Sequence, residues 1–159
     1  MNILVAADQD WGIGNSGKLL VYIPADLKRF QSLTMSHPMI LGRKTLSTFP
    51  GGKPLPGRRN LILSRTAGFR ADNAEIFHDL PSLLAEAPED SFVVGGGLVY
   101  HQLLPYCTRV YLTRLETVFP ADVFFPDLDM EPAWTVTEVS PLMEHNGLGF
   151  RYITYDRKP

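Results

Sequence analysis

Four apolar runs of strand length constrain this chain most: residues 2–7 (Asn-Ile-Leu-Val-Ala-Ala), 38–42 (Pro-Met-Ile-Leu-Gly), 60–64 (Asn-Leu-Ile-Leu-Ser) and 91–95 (Ser-Phe-Val-Val-Gly). None alternates between apolar and polar, so each belongs to a strand hidden on both faces, the situation of inner strands in a parallel sheet covered by helices. Helical patterns lie between the runs. In 25–35, Leu27, Phe30 and Leu33 recur at helical spacing and face a core, while Lys28, Arg29, Gln31 and Ser32 turn to water. Shorter helices follow Gly42, Asp79 and Gly97. Residues 74–77, 108–115, 134–139 and 150–155 read as further strands, the last two joined through a turn-rich segment at Asn146-Gly147 as an antiparallel finish. With 159 residues, no internal repeat and no linker, the chain reads as one α/β domain, 1–159.

Charge narrows the ligand. The net charge is only −2, yet between Asp26 and Asp72 there is no acid, while Lys28, Arg29, Arg43, Lys44, Lys53, Arg58, Arg59, Arg65 and Arg70 all fall there. No nucleic-acid-binding signature accompanies them, and the second half is acidic, so a small anionic ligand fits better than a duplex. The four histidines lack metal-ligand spacing, there is no Gly-x-Ser-x-Gly elbow, and the single Cys107 reads as a semi-buried structural thiol. Asp122, Asp127, Asp129 and Glu131 do not match a calcium loop and read as a solvated acidic surface. No run approaches a membrane span and no signal core opens the chain, so a cytoplasmic protein is expected.

Several strand ends are chemically suggestive. Gly42 leads into Arg43-Lys44-Thr45, and Ser64-Arg65 closes the third run, so two basic strand ends suggest one anion site at one edge of the sheet. Gly95-Gly96-Gly97 lets a cofactor approach the backbone closely before the next helix. Gly12-x-Gly14-x-x-Gly17 has the form of a dinucleotide fingerprint but lacks the opening helix and the later carboxylate, so residues 9–20 read as a mobile loop. The turn-rich 50–59 segment ends on Arg58 and Arg59, a fork suited to a carboxylate. Asp26, two residues after Pro24, is either a helix-start acid favoured by the dipole or a carboxylate aimed into a cleft.

Taken in order, Ile13-Gly14, Ile23-Pro24-Ala25-Asp26-Leu27 with Phe30, Leu41-Gly42-Arg43-Lys44-Thr45, Pro54-Leu55-Pro56-Gly57-Arg58-Arg59-Asn60, Leu63-Ser64, Val93-Val94-Gly95-Gly96-Gly97 with Val99-Tyr100, Tyr111-Leu112-Thr113, and Asp122 with Phe125-Pro126 closely resemble the bacterial chromosomal dihydrofolate reductases over nearly the whole chain. The resemblance implies a three-layer fold with a mixed, mainly parallel eight-stranded sheet and four flanking helices, and an adenosine-binding subdomain at about 37–88. It implies hydride transfer from C4 of the NADPH nicotinamide to C6 of 7,8-dihydrofolate, with water delivering the N5 proton. By the same resemblance Asp26 is the catalytic carboxylate that holds the pterin 2-amino and ring N–H, with Thr113 behind it. Val5, Ala6, Leu27, Phe30, Leu55, Val94 and Tyr100 line the substrate slot, and Arg58 takes the glutamate α-carboxylate. The cofactor set is Ala7, Ile13, Gly14, Leu19, Gly42, Arg43, Lys44, Thr45, Leu63, Ser64, Arg65, Gly95, Gly96, Gly97, Leu98, Val99 and Tyr100, with a cis bond between Gly95 and Gly96 and Leu19 at the centre of a closing lid.

Two positions depart from that pattern. Leu20-Val21 stands where the family commonly has Pro-Trp, which removes an anchor for active-site water, and Leu98 replaces an arginine that often meets the 2′-phosphate, with Arg65 as the compensating cation. The family implies competition by antifolates such as trimethoprim or methotrexate, no metal, no nucleic acid or membrane partner, and a monomer. The competing readings are a same-fold pyrimidine reductase of riboflavin synthesis and a non-catalytic dinucleotide-binding protein; the pairing of Asp26 with Arg58 favours folate.

Overall fold

The computed structural model describes residues 1–159. Its strands are β1 (Asn2–Ala7), β2 (Gly12–Gly14), β3 (Met39–Gly42), β4 (Asn60–Leu63), β5 (Glu75–Phe77), β6 (Phe92–Gly95), β7 (Arg109–Leu115), β8 (Val123–Phe124), β9 (Trp134–Val139), β10 (Met143–His145) and β11 (Leu148–Arg157). Its helices are α1 (Pro24–Thr34), α2 (Arg43–Leu46), α3 (Leu80–Glu86) and α4 (Gly97–Leu103). The main sheet runs β10-β11-β7-β1-β6-β3-β4-β5, parallel from β5 to β7 and antiparallel beyond. β9 also pairs with β11. Because β7 occupies the other edge of β11, β9 and β10 lie end to end as one interrupted edge strand, and the sheet is eight strands wide.

The apolar runs are buried on both faces, as their composition requires. Ile3, Val5, Ala7, Ile40, Leu61 and Val93 pack on one face with Leu83 of α3 and with Val99, Tyr100 and Leu103 of α4. Leu4, Met39, Leu41, Ile62, Phe92 and Val94 pack on the other, with Leu46 of α2 and with Phe30 and Leu33 of α1. Alternate residues of each strand thus serve opposite layers. Cys107 is buried and donates to Leu103 O, and burial pushes its thiol up to about 11, which fits a structural role.

Residues 9–20, read from the sequence as a loop, contain a short strand. Gly12–Gly14 forms β2, which pairs antiparallel with β8 inside the segment read as a solvated acidic surface. Asp8 organises this junction. It is fully buried, and its carboxylate accepts from the backbone N–H of Asp10 (3.0 Å), Gly12 (2.8 Å) and Phe119 (2.9 Å). Gly12 has no room for a side chain, since a Cβ would sit 2.8 Å from that of Ala121. Asp8→Asn is expected to destabilise the fold by about 1.5–3 kcal/mol, because an amide offers one acceptor oxygen and turns an NH2 toward backbone donors. Urea denaturation measures it; an unchanged midpoint would mean that the junction does not depend on this carboxylate.

Three of the segment's acids also hold partners while staying exposed. Asp122 accepts from Ser16 N at 3.0 Å, Asp127 caps a short turn of helix at Asp129 N, and Asp129 accepts from Tyr155 Oη at 2.7 Å. Their partners lie up to 106 residues away, outside the reach of local spacing.

Candidate active site

β1 pairs with β7 along its whole length but with β6 only at Asn2 and Ile3. Beyond Ile3 the two neighbours part, and the carbonyl of Leu4 is satisfied instead by the hydroxyl of Tyr100 at 2.8 Å. A crevice therefore opens at the carboxyl ends of the central strands, where open α/β sheets bind ligands. α1 passes over it on the face that carries Ala6, Val94, Tyr111 and Thr113.

Asp26 sits in the first turn of α1 but does not cap it. The N-cap residue is Ile23, with no side-chain cap, and Pro24 needs no donor partner there. Asp26 Oδ1 instead accepts a hydrogen bond from Thr113 Oγ1 at 2.6 Å. Thr113 is buried and lies beside Ala6 in register. Burial pushes the Asp26 carboxyl above the usual carboxylate range, while the Thr113 hydroxyl and the nearby Arg29 charge pull it back. Phe30 and Leu55 pack with Val94 on this face. Leu27, 37% exposed, adds apolar surface beside the acid. Val5 is different: its side chain belongs to the opposite layer with Trp11 and Ile13, because strand parity turns it away from Ala6.

Arg58 is held at the far end of α1. Its Nε donates to Pro56 O at 2.9 Å and its Nη1 to Thr34 Oγ1 at 2.8 Å, with Nη2 3.6 Å from Met35 Sδ. Thr34 is itself fully buried and donates to Phe30 O. Thr34 is thus a positioning residue that no sequence motif marks. The cleft carries an anionic anchor at the start of the helix and a cationic one at its end.

A second cleft, of about 610 Å³, runs along the ends of β3, β4 and β6. It brings together Gly42, Arg43, Lys44, Thr45, Leu63, Ser64, Arg65, Gly96, Gly97, Leu98 and Val99, the greater part of the expected cofactor set. Arg43 Nη1 donates to Thr66 Oγ1 at 2.9 Å, and His78 Nδ1 lies 2.8 Å from Ser64 O, so it carries the proton of that bond. Thr66, His78 and Gln102 also line the cleft and were not legible as site residues. The Gly95–Gly96 bond is cis. Gly95 has φ 134°, and a Cβ there would lie 3.1 Å from Thr45 Oγ1, so only glycine serves. Three cations and hydroxyl donors around a backbone stripped of side chains suit a phosphate-bearing, extended ligand.

Besides Gly95, five expected cofactor residues stand apart from this lining. Ala7 is fully buried, Ile13 and Tyr100 are core residues, and Leu19 is 63% exposed on the segment that follows β2. The carbonyl of Gly14 instead accepts from Asp122 N, next to β8. Val21 packs against Ile23, Leu115 and Phe150, so the place of the expected indole is filled by an apolar side chain without a donor.

The sequence matches the family described as "Dihydrofolate reductase" over residues 1–157. It is 38% identical over 151 residues to a dihydrofolate reductase of Mycobacterium leprae, covering 91% of this chain and 90% of that one. It is 30% identical to that of Bacillus subtilis, covering 99% and 95%. The fold superimposes with a TM-score of 0.87 and 30% identity on the dihydrofolate reductase of Enterococcus faecalis complexed with NADP(H) and RAB-propyl, covering 99% of this chain and 96% of that one.

Proposed function

The chain belongs to the dihydrofolate reductase family and is an NADPH-dependent oxidoreductase that reduces 7,8-dihydrofolate to 5,6,7,8-tetrahydrofolate; from that premise we propose that Asp26 anchors the pterin and Arg58 the glutamate. The 2.6 Å hydrogen bond from Thr113 to Asp26 carries this reading. It takes one lone pair of Oδ1 from behind and leaves the other, together with Oδ2, for the ligand's ring N–H and 2-amino group, two donors that the two carboxylate oxygens accept side by side. Ala6, Leu27, Phe30, Leu55 and Val94 then supply the apolar walls, with Val5 contributing only main chain. Asp26 acts by orientation and electrostatic support while water brings the N5 proton.

The cofactor cleft fits NADPH by its chemistry. Arg43, Lys44 and Arg65 with Ser64, Thr66 and Thr45 would hold the phosphates, and Gly95 to Gly97 would let the chain of the cofactor lie against backbone. When bound, NADPH supplies the hydride, which no side chain can. Leu98 is 63% exposed and offers no charge, so Arg65 bears the 2′-phosphate preference. Residues 37–88 form the adenosine half of this site. No helix is long and apolar enough to cross a membrane. The proposed enzyme is a cytoplasmic monomer that works without nucleic acid and is open to competition by trimethoprim or methotrexate.

The test is NADPH and NADH oxidation by the purified protein with and without dihydrofolate. Substrate-dependent oxidation is expected, faster with NADPH, and Arg65→Ala is expected to raise KM for NADPH about tenfold with little change for NADH, as loss of one charge-assisted contact of about 1.5 kcal/mol implies. Folded protein that shows no substrate-dependent oxidation defeats the enzyme reading; equal losses for both cofactors defeat the assignment of Arg65.

A further inference from the structure

Arg29 follows Asp26 by three positions on α1, so the two side chains emerge as neighbours on the helix surface. Periodicity turns Arg29 to water, yet in the structure it is half-buried. Its guanidinium carbon lies 3.9 Å from the centroid of the Tyr152 ring and 5.8 Å from that of Tyr111. Tyr152 is the cross-strand partner of Thr113, and Thr113 donates to Asp26. An acid, a hydroxyl, an aromatic ring and a guanidinium thus share one patch of the sheet face.

Arg29 Nη1 is buried and has no hydrogen-bond partner within the protein. Arginine usually keeps its head in water, and here the head has left it to lie on a ring without gaining a direct ion pair. A charge so placed acts through a poorly screening medium, where it is felt over a longer distance than at the surface. The groups that face Asp26 are Arg29 from its own helix, Thr113 from β7 and Tyr152 from β11, whose phenol burial holds neutral; Tyr111 lies between Arg29 and the exposed Arg109. Arg29 is the cation among them that bears on the carboxylate.

Resting on the assignment of Asp26 as the pterin anchor, we propose that Arg29 is a positioning residue for the reaction: its stacked charge keeps Asp26 ionised in the cleft, where Val21 brings no hydrogen-bond donor. The positive charge favours the carboxylate over the acid, so removing it makes Asp26 take up its proton at higher pH. The effect on ligands follows. A 2,4-diaminopyrimidine binds with its ring protonated against an ionised carboxylate, so its affinity must fall as pH drops through the titration of Asp26.

Trimethoprim affinity, measured against pH at saturating NADPH, reads this directly. Arg29→Met is expected to move the acid limb upward by about 0.5–1 pH unit. Binding at the acid end then weakens about three- to tenfold, while neutral-pH affinity and NADPH binding stay close to wild type. Arg29→Lys keeps the charge and is expected to keep most of the limb in place. Should Arg29→Met fold poorly, carbon-13 NMR titration of the Asp26 carboxyl in Arg29→Gln reads the same displacement. A limb unmoved by loss of the charge overturns the proposal, and so does an equal displacement in Arg29→Lys, which would assign the effect to packing. Failure of the underlying assignment looks different: Asp26→Asn would then retain tight, pH-dependent trimethoprim binding whatever stands at position 29.

Discussion

Asp26→Asn is expected to lower kcat/KM for dihydrofolate by about two to three orders of magnitude while making the ligand-free protein more stable at neutral pH. Removing one partner of a desolvated, hydrogen-bonded charge pair costs about 2–5 kcal/mol, and each 1.36 kcal/mol is a factor of about ten in rate. The stability gain has the opposite origin. Burial, the largest influence on Asp26, raises its carboxyl above the unfolded value, so folding favours the protonated form. The associated stabilisation is fully present below the ordinary carboxylate range and is lost as pH rises through the raised value. At neutral pH the wild type therefore carries a poorly solvated charge that asparagine lacks, while the amide oxygen still accepts from Thr113. The gain should be about 0.5–2 kcal/mol and should vanish toward acid pH. Steady-state kinetics and urea denaturation at two pH values check both halves; full activity across the pH range would sink the role of the acid, and a less stable variant would sink the account of its burial.

Asp26 also illustrates how far the residues could be read. Its place after Pro24 leaves two explanations open, a helix-start acid or a cleft carboxylate, because the deciding partner, Thr113, is 87 residues away. The layered fold is legible, since runs apolar at every position have nowhere to go but the inside of a covered sheet. That same uniformity hides strand parity: nothing in Leu-Val-Ala-Ala tells Val5 from Ala6, and sequence reading sets both in the slot although they face opposite layers. Arg29 is misread for a related reason. The helical pattern places it beside hydrated neighbours, and only Tyr152 on the last strand explains its burial. β2 and β8 pass unnoticed because elements of three and two residues carry no period, and their pairing depends on Asp8 and Asp122 reaching backbone N–H groups. The basic strand ends, by contrast, are local signals, and the structure gathers Arg43, Lys44 and Arg65 around one cleft.

Arg58→Met is expected to raise KM for dihydrofolate by about 30- to 200-fold with kcat little changed, and to leave trimethoprim affinity near wild type. The guanidinium is pinned by Pro56 O and Thr34 Oγ1, which spend two of its N–H groups and orient the rest. Desolvation lowers its pKa somewhat, but arginine remains charged throughout the working range. A pre-oriented fork that need not be ordered on binding loses less entropy when it meets a carboxylate, and its removal from a half-buried site costs about 2–3 kcal/mol. The contact lies remote from the reacting ring and is made equally in ground and transition states, so the loss falls on KM. Trimethoprim has no glutamate and serves as the internal control. Thr34→Val should reproduce a weaker form of the same pattern, about fivefold in KM, since the cation remains but one of its tethers, worth about 1 kcal/mol, is gone. Parallel losses for dihydrofolate and trimethoprim would mean that Arg58 supports the cleft as a whole, and an unchanged KM would mean that the glutamate is held elsewhere; selective loss of the tailed ligand establishes that the two ends of α1 read the two ends of one substrate.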